Sequence, residues 1–292
     1  MKIVLIGNNG QLGWEFQRTL PTLGEVISLG REKLDVSDLE AVQTILTNLQ
    51  PELIVNASAY TNVDQAEMEP ALTMQVNAKA PGVMAETAHK LGAVLIHYST
   101  DYVFDGKKNG PYIESDMTNP LNMYGKSKCI GEENIKQVGG AYLILRTSWV
   151  YSLRGNSFVN KVLAWSRKNA QLKIVSDQIS NPTWARKLAE TTTQAMITNK
   201  ANLLEIIKDR RGIYHLAGGG YTSRFEWAKE ILARDPNRSE QLVQTPEPAL
   251  SQDFPTPANR PLFSGLDCSK FSNVFNLHLP DWRESLQVAM QG

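Results

Sequence analysis

Met1-Lys-Ile-Val-Leu-Ile-Gly7-Asn-Asn-Gly10-Gln-Leu-Gly13-Trp-Glu-Phe-Gln-Arg-Thr-Leu20 opens the chain, and its reading decides the fold. Residues 2–6 are a short run dominated by branched aliphatic side chains, which suits a strand buried on both faces. They lead without a gap into glycines at positions 7, 10 and 13, and then into a stretch with helical spacing of apolar residues. A strand, a glycine turn and a helix in immediate succession form the first unit of a doubly wound α/β sheet. Glycine allows a sharp turn and a close approach of backbone to a pyrophosphate, whose charge then meets the free N–H groups and positive dipole end of the helix. The spacing is G-x-x-G-x-x-G rather than G-x-G-x-x-G, so a tight strand-to-helix turn without a ligand is the alternative reading.

The alternation continues outward from this unit. Strand-like apolar runs at 2–6, 25–29, 53–56, 93–98, 142–147 and 172–175 are interleaved with helical stretches at 12–20, 38–49, 71–91, 122–136 and 156–169. Such a pattern implies right-handed βαβ units and a parallel sheet covered by helices on both faces. The expected fold is therefore a Rossmann-like, doubly wound parallel α/β sheet. Beyond about residue 150 the alternation fades into helical and proline-bearing segments, among them Pro182, Pro246, Pro255 and Pro261. Residues 1–150 read as mainly a dinucleotide-binding domain and 151–292 as mainly a smaller C-terminal substrate-binding lobe, with chain excursions between the two.

Composition excludes several classes. Lys+Arg 30 balance Asp+Glu 30, so nothing electrostatic favours nucleic acid or an anionic membrane surface. Two widely separated cysteines, Cys129 and Cys268, give no disulfide framework and suit a reducing, cytoplasmic setting. The opening apolar run is too short for a signal h-region, and no run approaches the ~20 residues of a membrane helix. His89, His97, His215 and His278 show no metal-ligand spacing, so no metal site is expected from them.

Tyr124-Gly-Lys-Ser-Lys128 places a phenol and an ammonium four residues apart, on one face of a helix. A cation within ~4–6 Å favours the phenolate, and a bound oxidised nicotinamide adds a second positive charge. A proton donor for carbonyl reduction can be built this way without histidine, although the same spacing recurs on solvated helix faces. Leu95-Ile-His-Tyr-Ser-Thr100 reads as a strand ending in the hydroxyls of Ser99 and Thr100. Ligands bind at strand carboxyl ends in a parallel sheet, so a hydroxyl there is placed to bond a substrate carbonyl beside the tyrosine; a turn or helix cap is the alternative. The second strand ends Leu29-Gly30-Arg31, where an acidic residue would grip the adenine ribose of NAD. Glycine and arginine there favour a 2′-phosphate and hence NADPH, with the adjacent Glu32 keeping NADH as the alternative.

In this order the pieces resemble the extended short-chain dehydrogenase/reductase superfamily. Further motifs resemble one family within it, the dTDP-4-dehydrorhamnose reductases. They are Gly7-x-x-Gly10-Gln11-Leu12-Gly13-Trp14-Glu15, Val55-Asn-Ala-Ser-Ala-Tyr-Thr61, His97-Tyr-Ser-Thr-Asp-Tyr-Val-Phe104, Asn119-Pro-Leu-Asn-x-Tyr124-Gly-Lys-Ser-Lys128, Leu145-Arg-Thr-Ser-Trp-Val-Tyr151, Asn181-Pro-Thr183 and Pro255-Thr-Pro-Ala-Asn-Arg-Pro261. The resemblance implies reduction of the C4 ketone of dTDP-4-dehydro-L-rhamnose to dTDP-L-rhamnose, with NADPH as hydride donor. It implies Tyr124 as proton donor, Lys128 lowering the phenol pKa and holding the nicotinamide ribose, and Thr100 bonding the sugar oxygen. Implied cofactor contacts are Gly7, Gly10, Gln11, Leu12 and Gly13 at the turn, Asp35 and Val36 at the adenine edge, and Ala59, Tyr60, Thr61 and Tyr98 along the ribose and nicotinamide. Implied substrate contacts are Asp101 and Trp149, with Arg260 a weaker candidate for the diphosphate.

Reaction type follows from the residue after Asp101. In related nucleotide-sugar dehydratases Asp-Glu follows the threonine; here Tyr102 follows Asp101, which removes the base for elimination and leaves hydride transfer. Two alternatives stand beside this reading: reduction of another 4-keto nucleotide sugar, and a non-catalytic regulatory subunit of the same fold. Some family members are dimers bridged by Mg2+, and Glu15 and Glu190 fall at matching positions. The chain closes Ala289-Met-Gln-Gly292 without a further carboxylate, which argues against a structural Mg2+ and leaves a homodimer open.

Overall fold

The computed structural model describes residues 1–243 and 245–291. Six strands form the central sheet: β1 (Lys2–Ile6), β2 (Glu25–Leu29), β3 (Leu53–Asn56), β4 (Val94–Thr100), β5 (Ala141–Thr147) and β6 (Gly212–His215). Their order is β6-β5-β4-β3-β1-β2, and every pairing is parallel. The winding reverses between β1 and β3, which is where a doubly wound sheet opens a crevice at its strand carboxyl ends.

Alternate residues of each strand feed two cores. On one face Ile3, Leu5, Val55, Ile96 and Leu145 pack with Leu12 and Phe16 of helix α1 (Gln11–Thr19). On the other, Val4, Ile6, Ile54, Leu95 and Ile144 pack with Val42 and Leu46 of α2 (Leu39–Leu49), Met84 and Ala88 of α3 (Ala80–Leu91) and Ile135 of α4 (Met123–Val138). Covering both faces explains why the strands read as continuous apolar runs.

Beyond β5 the chain forms α5 (Phe158–Ser166), α6 (Ala185–Thr198), α7 (Arg224–Ala233) and α8 (Trp282–Met290). Helices α5, α7 and α8 build a separate core around Trp227 and Trp282, joined by Tyr151. Helix α6 instead packs on α1 and places Leu188 and Ala189 in the first core.

Two expectations for individual elements change. The run at 172–175 is not part of the central sheet: Lys173–Val175 pairs in parallel with Glu247–Ala249, while the sixth central strand is Gly212–His215. That strand is short, starts on glycine and follows Asp209-Arg-Arg211, so it carries little apolar signal and gains its place from pairing with β5. The single helix expected over 71–91 is Pro70–Met74, a π-helical Gln75–Lys79 and then α3. The wide turn swings Asn77 inward onto Tyr60 and Ser127, a type of insertion common near functional sites.

Candidate active site

A cavity of about 720 Å³ lies over the carboxyl ends of β1, β3, β4 and β5. Its wall brings together Gly7, Gly10, Gln11, Leu12, Arg31, Asp35, Val36, Ala59, Tyr60, Thr61, Tyr98, Thr100, Asp101, Tyr124, Lys128 and Trp149. Gly13 and Arg260 stand outside that wall.

At one end the glycine turn is shaped for an anion. Gly7 takes φ +86°, and a Cβ there would stand 2.8 Å from the Ser58 nitrogen. At Gly13 a Cβ would collide with the Gly7 carbonyl, so α1 closes on the turn only with glycine at that position. Gly10 caps α1 without a side-chain bond, and the first turn holds no acidic residue, so free N–H groups meet no competing charge. Gln11 Oε1 accepts from the Ser152 N–H at 2.8 Å, tying the turn to the chain beyond β5.

The far corner holds groups of both signs. The Arg31 side chain is 82% exposed and pairs only loosely with Asp35, at 3.5 Å, which leaves the guanidinium able to meet a phosphate. The Ser37 N–H and hydroxyl hold the Asp35 carboxyl below its usual range. Glu32 folds against Gly30 and accepts from Asn9 Nδ2 at 3.3 Å. Asn8 Oδ1, beside Gly30, is a buried acceptor without a partner among the described residues, suited to a ribose hydroxyl. Turn, open helix end and orphaned acceptor together fit a dinucleotide.

At the other end α4 is fixed before it presents its chemistry. Asn122 caps it by accepting from the Gly125 N–H at 2.8 Å. Gly125 rests on the Tyr102 carbonyl and Gly131 on the Asn77 carbonyl, each so close that a Cβ would clash. Asn77 Nδ2 donates to Ser127 Oγ at 3.0 Å, a third pin on the same helix. Tyr124, in the first turn, is half-buried, lines the cavity beside Thr100 and stands edge-on to Tyr102 with ring centroids 6.0 Å apart. Burial raises its phenol above the usual pKa, with the nearby Thr100 hydroxyl acting the other way.

Lys128 is fully buried, and burial pushes it down to about 8, with Glu132 opposing. Its Nζ donates to the Tyr98 carbonyl at 2.5 Å and meets His97 Nε2 at 3.1 Å. His97 Nδ1 lies 3.0 Å from Asn56 Nδ2, and Asn56 Oδ1 accepts from the Ser58 N–H at 3.0 Å. Tyr98 lines the cavity, its ring packs on Phe16 with centroids 5.9 Å apart, and its hydroxyl is bonded to Thr192 at 2.7 Å.

The substrate side is built from hydroxyls, a carboxyl and an indole. Asp101 accepts from Thr100 Oγ1 at 3.1 Å, Ser180 Oγ at 3.0 Å and Ser264 Oγ at 2.5 Å. Burial raises its pKa against the pull of those hydroxyls. Trp149 takes φ +40°, a left-handed conformation that costs a non-glycine residue about 1–3 kcal/mol and clusters at functional sites. Its indole stacks on Trp227 with centroids 5.5 Å apart, and the Arg224 guanidinium lies 4.3 Å over the same ring. Arg260 is held elsewhere, by Asp64 at 2.7 Å and Thr256 at 2.6 Å. Sequence reasoning missed Arg224, His97 and Thr147, whose buried Oγ1 on the cavity wall has no partner among the described residues. Each gains its place from contacts distant in sequence, which no local spacing records.

Glu190 pairs with Arg186 at 3.0 Å and Lys187 at 2.7 Å, and Glu15 with Arg18 at 3.7 Å. Among the described residues no cluster of three or more His, Cys, Asp or Glu could hold a metal ion, and no helix is long and apolar enough to cross a membrane. Cys129 and Cys268 are unpaired thiols.

A parallel doubly wound sheet with a glycine turn, and a Tyr-x-x-x-Lys helix on the wall of the same cavity, define a dinucleotide-binding fold of the short-chain dehydrogenase/reductase class. The chain belongs to the dTDP-4-dehydrorhamnose reductase family: the family described as RmlD substrate binding domain matches residues 1–292. It is 38% identical to the dTDP-4-dehydrorhamnose reductase of Burkholderia thailandensis, over 100% of this chain and 98% of that one. It is 38% identical to that of Escherichia coli K12, over 97% of this chain and 95% of the other. Among solved structures, the dTDP-4-dehydrorhamnose reductase of Bacillus anthracis in complex with NADP superposes with a TM-score of 0.88 at 32% identity, covering 99% of this chain and 98% of that one.

Proposed function

We propose that this protein reduces the C4 ketone of dTDP-4-dehydro-L-rhamnose to dTDP-L-rhamnose with NADPH. One observation carries the reading: Thr100, Tyr124 and Lys128 line the same cavity as the glycine turn, in a chain that matches reductases of this substrate from end to end. NADPH, when bound, supplies the hydride. Tyr124 donates the proton to the sugar O4, and burial keeps that proton on the phenol at neutral pH until it is needed. Thr100 lies on the same cavity wall; its single hydroxyl proton goes to Asp101 in the ligand-free protein and turns to the same sugar oxygen when substrate binds. Lys128 holds the nicotinamide ribose. Trp149, backed by Trp227 and Arg224, offers an aromatic face to the sugar or base. Unpaired thiols suit a cytoplasmic setting.

The test compares turnover of dTDP-4-dehydrorhamnose with that of UDP- and GDP-linked 4-ketosugars, read as loss of NADPH absorbance. The dTDP sugar is expected to turn over fastest. Faster turnover of a UDP or GDP sugar would reassign the substrate, and no NADPH oxidation with any of them would favour a regulatory subunit.

A further inference from the structure

The hydrogen bonds around Lys128 run in one direction. The Ser58 N–H is a donor, so the Asn56 amide atom 3.0 Å from it is the acceptor Oδ1, and the Nδ2 donor of the same amide faces His97 Nδ1 at 3.0 Å. Nδ1 therefore accepts. Burial holds His97 well below its usual pKa, so the ring is neutral and carries its single proton on Nε2. That proton faces Lys128 Nζ, 3.1 Å away. An ammonium has three donors and no lone pair, so it cannot accept a hydrogen bond. An uncharged amine can, while still donating to the Tyr98 carbonyl. His97 is 0% and Lys128 1% exposed, so both roles are set chiefly by these protein partners.

We infer that His97, oriented by Asn56, is a positioning residue whose Nε2–H favours the uncharged amine of Lys128 over its ammonium in the ligand-free protein. The inference builds on the reading of Tyr124 and Lys128 as the proton-handling pair. The other titratable groups around Lys128 are Tyr98, whose hydroxyl is bonded to Thr192; Glu132, bonded to Ser99 and Arg146; Tyr124, one helical turn earlier; and Asp101 beyond Thr100. An uncharged amine does nothing to favour the Tyr124 phenolate. The fraction of Lys128 held uncharged must then draw a proton from solvent as NADPH binds before it can activate the phenol.

Two-bond ¹H–¹⁵N spectra of protein labelled at its histidine nitrogens read the tautomer of each ring. His215, the other buried imidazole, faces two carbonyls through Nδ1, at 3.1 and 3.2 Å, and serves as an internal Nδ1–H reference. The expected spectrum has two rings that stay neutral through pH 6–8, one of each tautomer. Two Nδ1–H rings would overturn the inference. Asn56→Asp places an acceptor opposite His97 Nδ1 and is expected to move the proton to that nitrogen; an unchanged tautomer would also overturn it. Calorimetry of NADPH binding in buffers of different ionisation enthalpy gives proton uptake, expected to be larger in the unaltered protein than in Asn56→Asp, and equal uptake would count against it. If Asn56→Asp does not fold, the pair of tautomers in the unaltered protein decides. No sugar enters these measurements, so a reassigned substrate leaves the inference standing, and a failed tautomer leaves the proposed reaction standing.

Discussion

Tyr124 keeps its proton because burial in the first turn of α4 disfavours the phenolate, and it shares the cavity wall with Thr100. Tyr124→Phe deletes one oxygen and leaves the packing, so NADPH affinity should hold while turnover falls roughly 10²–10⁴-fold, the usual worth of a positioned acid; near-normal turnover in a rate assay would remove the residue from the mechanism. Arg31 is the second residue whose role is isolable. Its guanidinium is solvated and weakly paired, so Arg31→Ala should leave folding unchanged and weaken NADPH by roughly 10–100-fold, the worth of a charged hydrogen bond of about 1.5–3 kcal/mol. NADH, without the 2′-phosphate, should bind as before, and equal loss for both cofactors by fluorescence titration would rule out a phosphate contact. Tyr124, Lys128 and Arg31 were legible in the sequence because each lies within a few residues of the signal that marks it. His97 and Arg224 were not, since their partners Asn56 and Trp149 belong to other elements.

At the scale of elements, legibility followed burial. Strands β1 and β3 were read to the residue because their runs of four and three consecutive apolar side chains suit a strand covered on both faces. Edge strand β6 escaped because an edge needs apolar content on fewer sides and its pairing to β5 is invisible locally. The helix over 71–91 was legible as helical, but its π turn was not, because the extra residue is stabilised by Asn77 bonding to Tyr60 and Ser127 rather than by any propensity. Helix α4 shows what such contacts do. Gly125 stands against the Tyr102 carbonyl, so Gly125→Ala should push the first turn of α4 away from β4. A displacement of about 1 Å at a reacting group costs roughly 10²-fold in rate, and overpacking of this kind costs about 1–3 kcal/mol of stability. Both a lower melting temperature and a kcat loss larger than any change in KM are expected; unchanged kcat would mean that Tyr124 is not positioned by this contact.

The whole molecule joins the sheet, with a core on each face, to the separate core around Trp227 and Trp282, and the chain crosses between them rather than dividing once. Helix α6 and strand β6 come from the second half of the sequence but complete the layers around the central sheet, while Tyr151, Trp227 and Trp282 gather α5, α7 and α8 beside it. The hydroxyls that surround Asp101 come from both sides of this junction, Thr100 from the sheet and Ser180 and Ser264 from the later chain. That closure bears on reaction class. Elimination of water from a nucleotide sugar needs a base beside the acid, and the residue after Asp101 is Tyr102, a buried phenol whose pKa is raised by that burial. A phenol that retains its proton cannot take one from C5. Incubated with dTDP-glucose alone, the protein should therefore form no 4-keto-6-deoxy product, whereas with dTDP-4-dehydrorhamnose it should consume NADPH in proportion to the dTDP-rhamnose formed. Mass spectrometry of the first mixture decides the matter: dTDP-4-keto-6-deoxyglucose made by the purified protein would place an elimination at Thr100 and Asp101 and displace the reductase reading.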